Sequence, residues 1–223
     1  MIKLSSRLEV IASYIPDNCK LVDIGCDHGL LDVYLAKNRK NITIIASDIN
    51  KNALDNAIKN IEKYQVNNIV SYRISNGLSN IDAEEIDTIA ISGMGAHNIV
   101  GILYNNLKKL KYVKRIIVQS NNNLDFLRYK LTKIGYYIKD EKLVKDAGII
   151  YTVICLEKGS KYYSKKNLYF GPILLKNIDN LFKEKYGEEL KKLENLYKLI
   201  PKNHYHHRLV TYMKIRMYKK INL

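Results

Sequence analysis

The chain has 223 residues, 47% of them hydrophobic, and a formal net charge of +15. That is enough for one α/β domain with a real core and a smaller appendage. No apolar run approaches the roughly 18 residues of a membrane span, and Met1–Arg7 lacks the apolar centre of a signal peptide. Cys19, Cys26 and Cys155 are odd in number and far apart, which argues against a disulfide framework and for a reducing, cytoplasmic setting.

Ser6 and Glu9 have capping-box spacing ahead of Val10, Ile11 and Tyr14, so a helix is expected over 6–15. A strand over 20–25 then runs into Gly25-Cys26-Asp27-His28-Gly29. Glycines at the carboxyl end of a strand let the backbone approach a ligand. A dinucleotide turn reads G-x-G-x-x-G, and its second glycine faces a pyrophosphate. Asp27 occupies that place here, where its carboxylate would repel a pyrophosphate but suit the amino group and sulfonium of S-adenosylmethionine. A tight turn without a ligand uses the same glycines.

Further along, helices are expected over 29–38, 51–63, 97–110 and 124–134, and strands over 42–47, 69–74, 86–91 and 115–119. Two closing strands, near 136–144 and 150–157, are separated by Lys145-Asp146-Ala147-Gly148. The alternation gives a parallel sheet covered on both faces. The final hairpin makes one strand antiparallel, which points to a Rossmann-like methyltransferase sheet, since a dinucleotide-binding sheet stays parallel. This domain is expected over 1–158.

The pattern changes near Gly159. Apolar residues recur at helical spacing from Leu168 to Ile200, Pro201-Lys202-Asn203 interrupts, and a second helical pattern follows from Tyr205 to Ile221. Residues 159–223 therefore read as an antiparallel helical hairpin, coiled-coil-like and basic. Charge is uneven: residues 1–103 carry a net −2, residues 104–155 +7 and residues 156–223 +10. A near-neutral half and a basic half suggest a polyanionic partner, although a solvated lysine face has the same composition. Lys183, Lys191, Lys198, Arg208 and Lys214 are the candidate RNA-binding residues. His204, His206 and His207 have no cysteine or acidic partner at ligand spacing, so no metal is expected.

In such a sheet a cofactor site draws on the carboxyl ends of several strands. Asp48 follows Gly25 by twenty-three residues, where an acid accepts from ribose hydroxyls, and Ile49 follows it. Asn76-Gly77 follows the next strand, where an amide side chain can bond the adenine amine. Ser92-Gly93-Met94-Gly95 occupies the loop that faces the transferred methyl group. That loop lacks the Asp/Asn-Pro-Pro-aromatic motif of exocyclic amine methylation and holds no cysteine for covalent attack. Direct displacement onto a group with its own lone pair remains, such as a ring nitrogen, and such a reaction depends on positioning.

Leu4-Ser5-Ser6-Arg7-Leu8-Glu9-Val10-Ile11-Ala12, Asp23-Ile24-Gly25-Cys26-Asp27-His28, Asn76-Gly77-Leu78, Ile91-Ser92-Gly93-Met94-Gly95, Gln119-Ser120-Asn121-Asn122 and Tyr169-Phe170-Gly171-Pro172 resemble the bacterial tRNA adenine(22)-N1 methyltransferase family over nearly the whole chain. The chain departs from that pattern at Asn76, where the family has Asp, at Ala96, where it often has Gly, and at Ser120, where it has Pro. The resemblance implies a cytoplasmic enzyme that methylates N1 of adenine 22 in tRNA from S-adenosylmethionine. It also implies a Rossmann-like domain followed by a helical one. On that reading the cofactor-binding residues are Arg7, Gly25, Cys26, Asp27, His28, Asp48, Ile49, Asn76, Gly77, Gly93 and Met94, and the candidate catalytic residues are Asp27 and His28. Asp27 either favours the alkylated cation or orients the methionine end. His28 is a backbone cap, a substrate contact or a proton acceptor. Arg7 reaches the cofactor or an RNA phosphate. A monomer is the expected state, without membrane or metal. The competing reading is a class I methyltransferase acting on another RNA site or on a substrate other than RNA.

Overall fold

The computed structural model describes residues 2–221. Helices and strands alternate as α1 (Ser6–Tyr14), β1 (Lys20–Ile24), α2 (Leu30–Asn38), β2 (Thr43–Asp48), α3 (Lys51–Lys63), β3 (Val70–Ile74), β4 (Thr88–Met94), α4 (Ala96–Tyr104), β5 (Arg115–Ser120), α5 (Leu124–Lys133), β6 (Tyr136–Asp146), β7 (Ile149–Lys158) and α6 (Lys165–Phe170). The strands form one sheet in the order β3-β2-β1-β4-β5-β7-β6. β1 to β5 are parallel, and β7 enters antiparallel between β5 and β6. Ala147 and Gly148 close the β6–β7 hairpin, both with positive φ, as a two-residue turn requires. The fold class is the expected Rossmann-like methyltransferase α/β sheet, with the antiparallel strand inside the sheet and β6 at its edge.

Helices cover both faces, so the central strands are apolar on both sides. Leu21, Ile44, Leu35 and Ile61 belong to one core; Val22, Ile24, Ile89, Ile116, Leu103 and Leu127 belong to the other. Register pairs Ile24 with Ser47 of β2 and with Ile91 of β4, so three strands end side by side. The chain reverses its direction of strand addition between β1 and β4, and the crevice outside those carboxyl ends is where open α/β sheets take ligands.

Three local expectations shift. The N-cap of α1 is Ser5, not Ser6: Ser5 is extended, and its hydroxyl accepts from Leu8 N. α4 stops at Tyr104 and does not run to residue 110. The segment after it is held by tertiary bonds: Lys109 Nζ donates to Leu78 O at 2.6 Å, and the Leu110 and Val113 carbonyls accept from Tyr136 Oη. β4 reaches Met94 through an irregularity after Ile91.

The helical pattern from Leu168 is also broken. α6 ends at Phe170, and Gly171 turns at φ +97° against a fully buried ion pair, Arg128 Nε to Glu141 Oε1 at 2.6 Å. A Cβ on Gly171 would lie 2.7 Å from Glu141 Oε2. Arg128 also donates to the carbonyls of Leu168 and Tyr169, and Tyr163 Oη accepts from Ile138 N. Residues 160–173 are thereby tied to the sheet unit, and the chain divides between Ile173 and Leu174, later than the expected 158/159.

The second unit is an antiparallel pair, α7 (Asn180–Leu199) and α8 (Tyr205–Lys219). Phe182, Tyr186 and Tyr218 pack ring against ring near one end, where Tyr218 Oη donates to Glu189 at 2.6 Å. At the other end Arg208 lies over the Tyr197 ring and donates to Ile200 O at 2.8 Å.

Candidate active site

β1 delivers the chain to a turn built on left-handed residues. Gly25 (φ +77°) and Cys26 donate their amides to Ser47 O at the end of β2, and Gly29 N closes onto Cys26 O at 2.8 Å. A Cβ on Gly25 would lie 2.6 Å from Met94 Cε, so any other residue there would displace the methionine side chain as well as strain a backbone at positive φ. Asp48 ties two turns together: its Oδ1 accepts from Asn50 N at 2.8 Å and its Oδ2 from Asp27 N at 3.5 Å. The Asp27 and His28 side chains are 71% and 57% exposed, with His28 Nε2 3.7 Å from Asp27 Oδ2, and both face the crevice opening.

Two cavities, of about 440 and 540 Å³, share Gly25, Asp48 and Met94. The first is bordered by Arg7, Asp23, Cys26, Asp27, His28 and Gly93. The second is bordered by Ile49, Asn76, Gly77, His97 and Ile102. Each of the eleven residues named for the cofactor borders one or the other. Gly77 (φ +59°) is held close to α4, since a Cβ there would meet Ile102 Cγ2 at 2.7 Å.

Gln119 is not among the residues that the sequence assigns to the site, although its Gln119-Ser120-Asn121-Asn122 run is part of the family resemblance. Gln119 is fully buried, and its Oε1 accepts from Arg7 Nη1 at 2.7 Å and from Gly93 N at 3.0 Å. Its amide donates to Asn121 Oδ1, Asn121 Nδ2 donates to Gly93 O, and Asn122 Oδ1 accepts from Ala96 N. The end of β5 therefore fixes both the strand-4 loop and the Arg7 guanidinium, which also lies 5.2 Å from the Tyr151 ring centre. The available signal was a run of amides closing an apolar strand.

Two buried carboxyls were missed as well. Burial, then the neighbouring Asp48 charge, pushes Asp23 up to about 7. Asp32, in the first turn of α2, is pushed well above the usual carboxylate range by burial and then by Asp23, and neither of its oxygens has a hydrogen-bond partner. Acids inside Leu21-Val22-Asp23-Ile24 and Leu30-Leu31-Asp32-Val33 were the legible sign. Cys26 sits among them, and burial followed by the Asp32 charge drives its thiol far upward, so it stays protonated.

In the second unit Lys183, Lys191, Lys198 and Lys214 are exposed, whereas Arg208 is half-buried and engaged with the end of α7. Among the described residues no cluster of three His, Cys, Asp or Glu side chains forms a metal site, and no helix is long and apolar enough to cross a membrane.

Residues 21–222 match the family model described as tRNA (adenine(22)-N(1))-methyltransferase. The chain belongs to this family. The tRNA (adenine(22)-N(1))-methyltransferase of Bacillus subtilis strain 168 is 33% identical over 205 residues, 89% of this chain and 86% of that protein. A Streptococcus pneumoniae protein solved in complex with S-adenosyl-L-methionine superposes with a TM-score of 0.91 at 32% identity, over 98% of this chain and 99% of its own. TrmK of M. capricolum, solved with S-adenosyl-homocysteine, gives 0.88 at 29% identity, over 98% of each chain. The crevice of this methyltransferase suits such a ligand. Asp27 and Asp48 outnumber Arg7 around the first cavity, which favours a ligand carrying ammonium and sulfonium charge, and the Gly25 and Gly77 cradles would be filled by any Cβ.

Proposed function

We propose that this chain transfers a methyl group from S-adenosylmethionine to N1 of adenine 22 in tRNA. The observation that carries the reading is an acidic, glycine-lined crevice at the ends of β1 to β4 in a chain that matches the family over 21–222. On this reading Asp48 accepts from the ribose hydroxyls, Asn76 and Gly77 hold the adenine, and Arg7, Asp23 and Asp27 hold the methionine end. When bound, the donor supplies an electrophilic methyl group on a sulfonium.

The protein's own task is then positional. Adenine N1 already holds the attacking lone pair, so no residue has to remove a proton or form a covalent bond to the base. Gly93 and Met94 line the cavity beside the reacting groups, and Gln119 with Asn121 keeps their loop from drifting. A near-attack separation of roughly 3–3.5 Å requires such rigidity. The base leaves its pairing or stacking first, because N1 lies on the Watson–Crick edge.

The helical pair supplies affinity for the polyanion. Beyond Glu194 the chain carries seven Lys and Arg and no acidic side chain. Lys183, Lys191, Lys198 and Lys214 meet phosphates, releasing counterions, so binding weakens steeply with salt. Arg208 acts indirectly, by closing the hairpin. The enzyme works as a monomer in the cytoplasm, where its substrate is. Incubation with donor and unmodified tRNA, digestion and nucleoside mass spectrometry should give 1-methyladenosine. Finding 6-methyladenosine or 5-methylcytidine instead would overturn the reading.

A further inference from the structure

α4 and α5 both start at the carboxyl ends of their strands, one and two strands beyond the donor turn. On the first turn of α4, directly after the strand-4 loop, stands His97; on the first turn of α5 stands Phe126. Their ring centres are 4.4 Å apart at 33°. His97 is exposed and borders the second cavity, and Phe126 is half-buried. The Lys130 ammonium lies 5.7 Å from the Phe126 ring centre and 5.6 Å from that of Tyr104, whose hydroxyl donates to Lys130 O at 3.1 Å. One turn on, Lys133 lies over Tyr129. Aromatic faces interleaved with ammonium groups, reaching the border of the second cavity at His97, are the surface chemistry that unstacked nucleotides use: bases on rings, phosphates on cations.

We propose that His97 and Phe126 form the stacking platform for the acceptor adenine. The proposal rests on the methyl-transfer reading above and names where its second substrate lies. The platform suits the chemistry as well as the shape. The N1 lone pair forms the new N–CH3 bond, the S–CH3 electron pair returns to sulfur, and the positive charge passes to the adenine. An aromatic face attracts a cation more than a neutral ring, so the stack strengthens as charge develops on the base and favours the transition state over the ground state. The rims of the crevice thus divide the work: carboxylates on the donor side for a cation present at the start, aromatic rings on the acceptor side for the cation made.

The test is single-turnover methylation of unmodified tRNA by full-length His97→Ala, Phe126→Leu and Phe126→Trp proteins. Tyr112→Ala, an exposed tyrosine before β5 at the other end of that strand, is the control. Loss of one stacking partner should slow the step roughly 5- to 150-fold. His97→Ala and Phe126→Leu should fall in that range, while their affinities for S-adenosylmethionine and for tRNA stay within about twofold. Phe126→Trp should recover to within about threefold of the parent. A packing role alone would be served by leucine, so a Phe126→Leu protein as fast as the parent overturns the platform. A parallel loss of donor affinity also overturns it, by assigning the pair to the cofactor pocket. A parent enzyme that forms no 1-methyladenosine in the same assay removes the methyl-transfer reading and the platform with it.

Discussion

Asp48→Asn should separate cofactor binding from folding. The Asp48 carboxylate accepts from Asn50 N at 2.8 Å and from Asp27 N at 3.5 Å while bordering both cavities. Asparagine keeps an acceptor for Asn50 N and so preserves the turn, whereas alanine would leave two backbone donors without it. What asparagine removes is charge. Hydrogen bonds to a charged acceptor are worth about 1.5–3 kcal/mol and neutral ones about 0.5–1.5 kcal/mol. Two ribose hydroxyls therefore lose about 2–3 kcal/mol together, a roughly 30- to 150-fold rise in Kd. Isothermal calorimetry with S-adenosylmethionine measures it, with circular dichroism confirming the fold. The same substitution should act oppositely on the unliganded protein. Asp23 is held up to about 7, first by burial and second by Asp48, against about 3.9 in an unfolded chain. A carboxyl raised by folding subtracts stability as pH climbs through that window, because the native state then holds a proton that the unfolded state has lost. Removing the Asp48 charge eases the ionisation of Asp23, so the variant should gain in Tm relative to the parent between pH 5 and pH 8, with no such gain at pH 5 (about two units below the raised value). Donor affinity within threefold of the parent, or a Tm difference independent of pH, would refute the argument.

Cys26→Ser should retain most methyl-transfer activity, since the buried thiol stays protonated and attacks nothing; complete loss of turnover in folded protein would show otherwise. Ending the chain after Ile173 should preserve donor binding by calorimetry and abolish most tRNA binding in a filter assay; a folded truncation that binds tRNA like the full chain would reduce the helical pair to a solvated lysine face. Arg128→Met leaves Glu141 buried beside Gly171 without its guanidinium and should cost about 3–5 kcal/mol in urea unfolding, most of it recovered in Arg128→Met/Glu141→Leu, which removes both charges.

Much of the site was legible because cofactor chemistry falls where strands end, and strand ends are marked by local changes in residue type. Gly25 follows an apolar run directly, and Asp48, Gly77 and Gly93 stand within about three residues of the end of one. The sequence by itself determined the alternating order, the hairpin that makes β7 antiparallel, the acid at the end of β2 and the basic character of the C-terminal helices. These depend on periodicity, turn geometry and charge, which act over a few residues. Tertiary structure decided the rest. Gln119 looks like one more polar residue until it meets Arg7 and Gly93 across 112 and 26 residues. His97 and Phe126 lie on separate helices, and nothing in either segment calls for the other. The stretch after α4, which the apolar pattern would carry on as helix to residue 110, is tied instead to Leu78 through Lys109 and to Tyr136 through the Leu110 and Val113 carbonyls. The break at Gly171 was set by the space that a buried Arg128–Glu141 pair occupies. Arg208, one basic residue among several in the sequence, becomes a helix-end contact only when α8 folds back on α7. In each case the deciding partner lies on another element, and only packing, with the demand that buried polar groups be paired, brings it near.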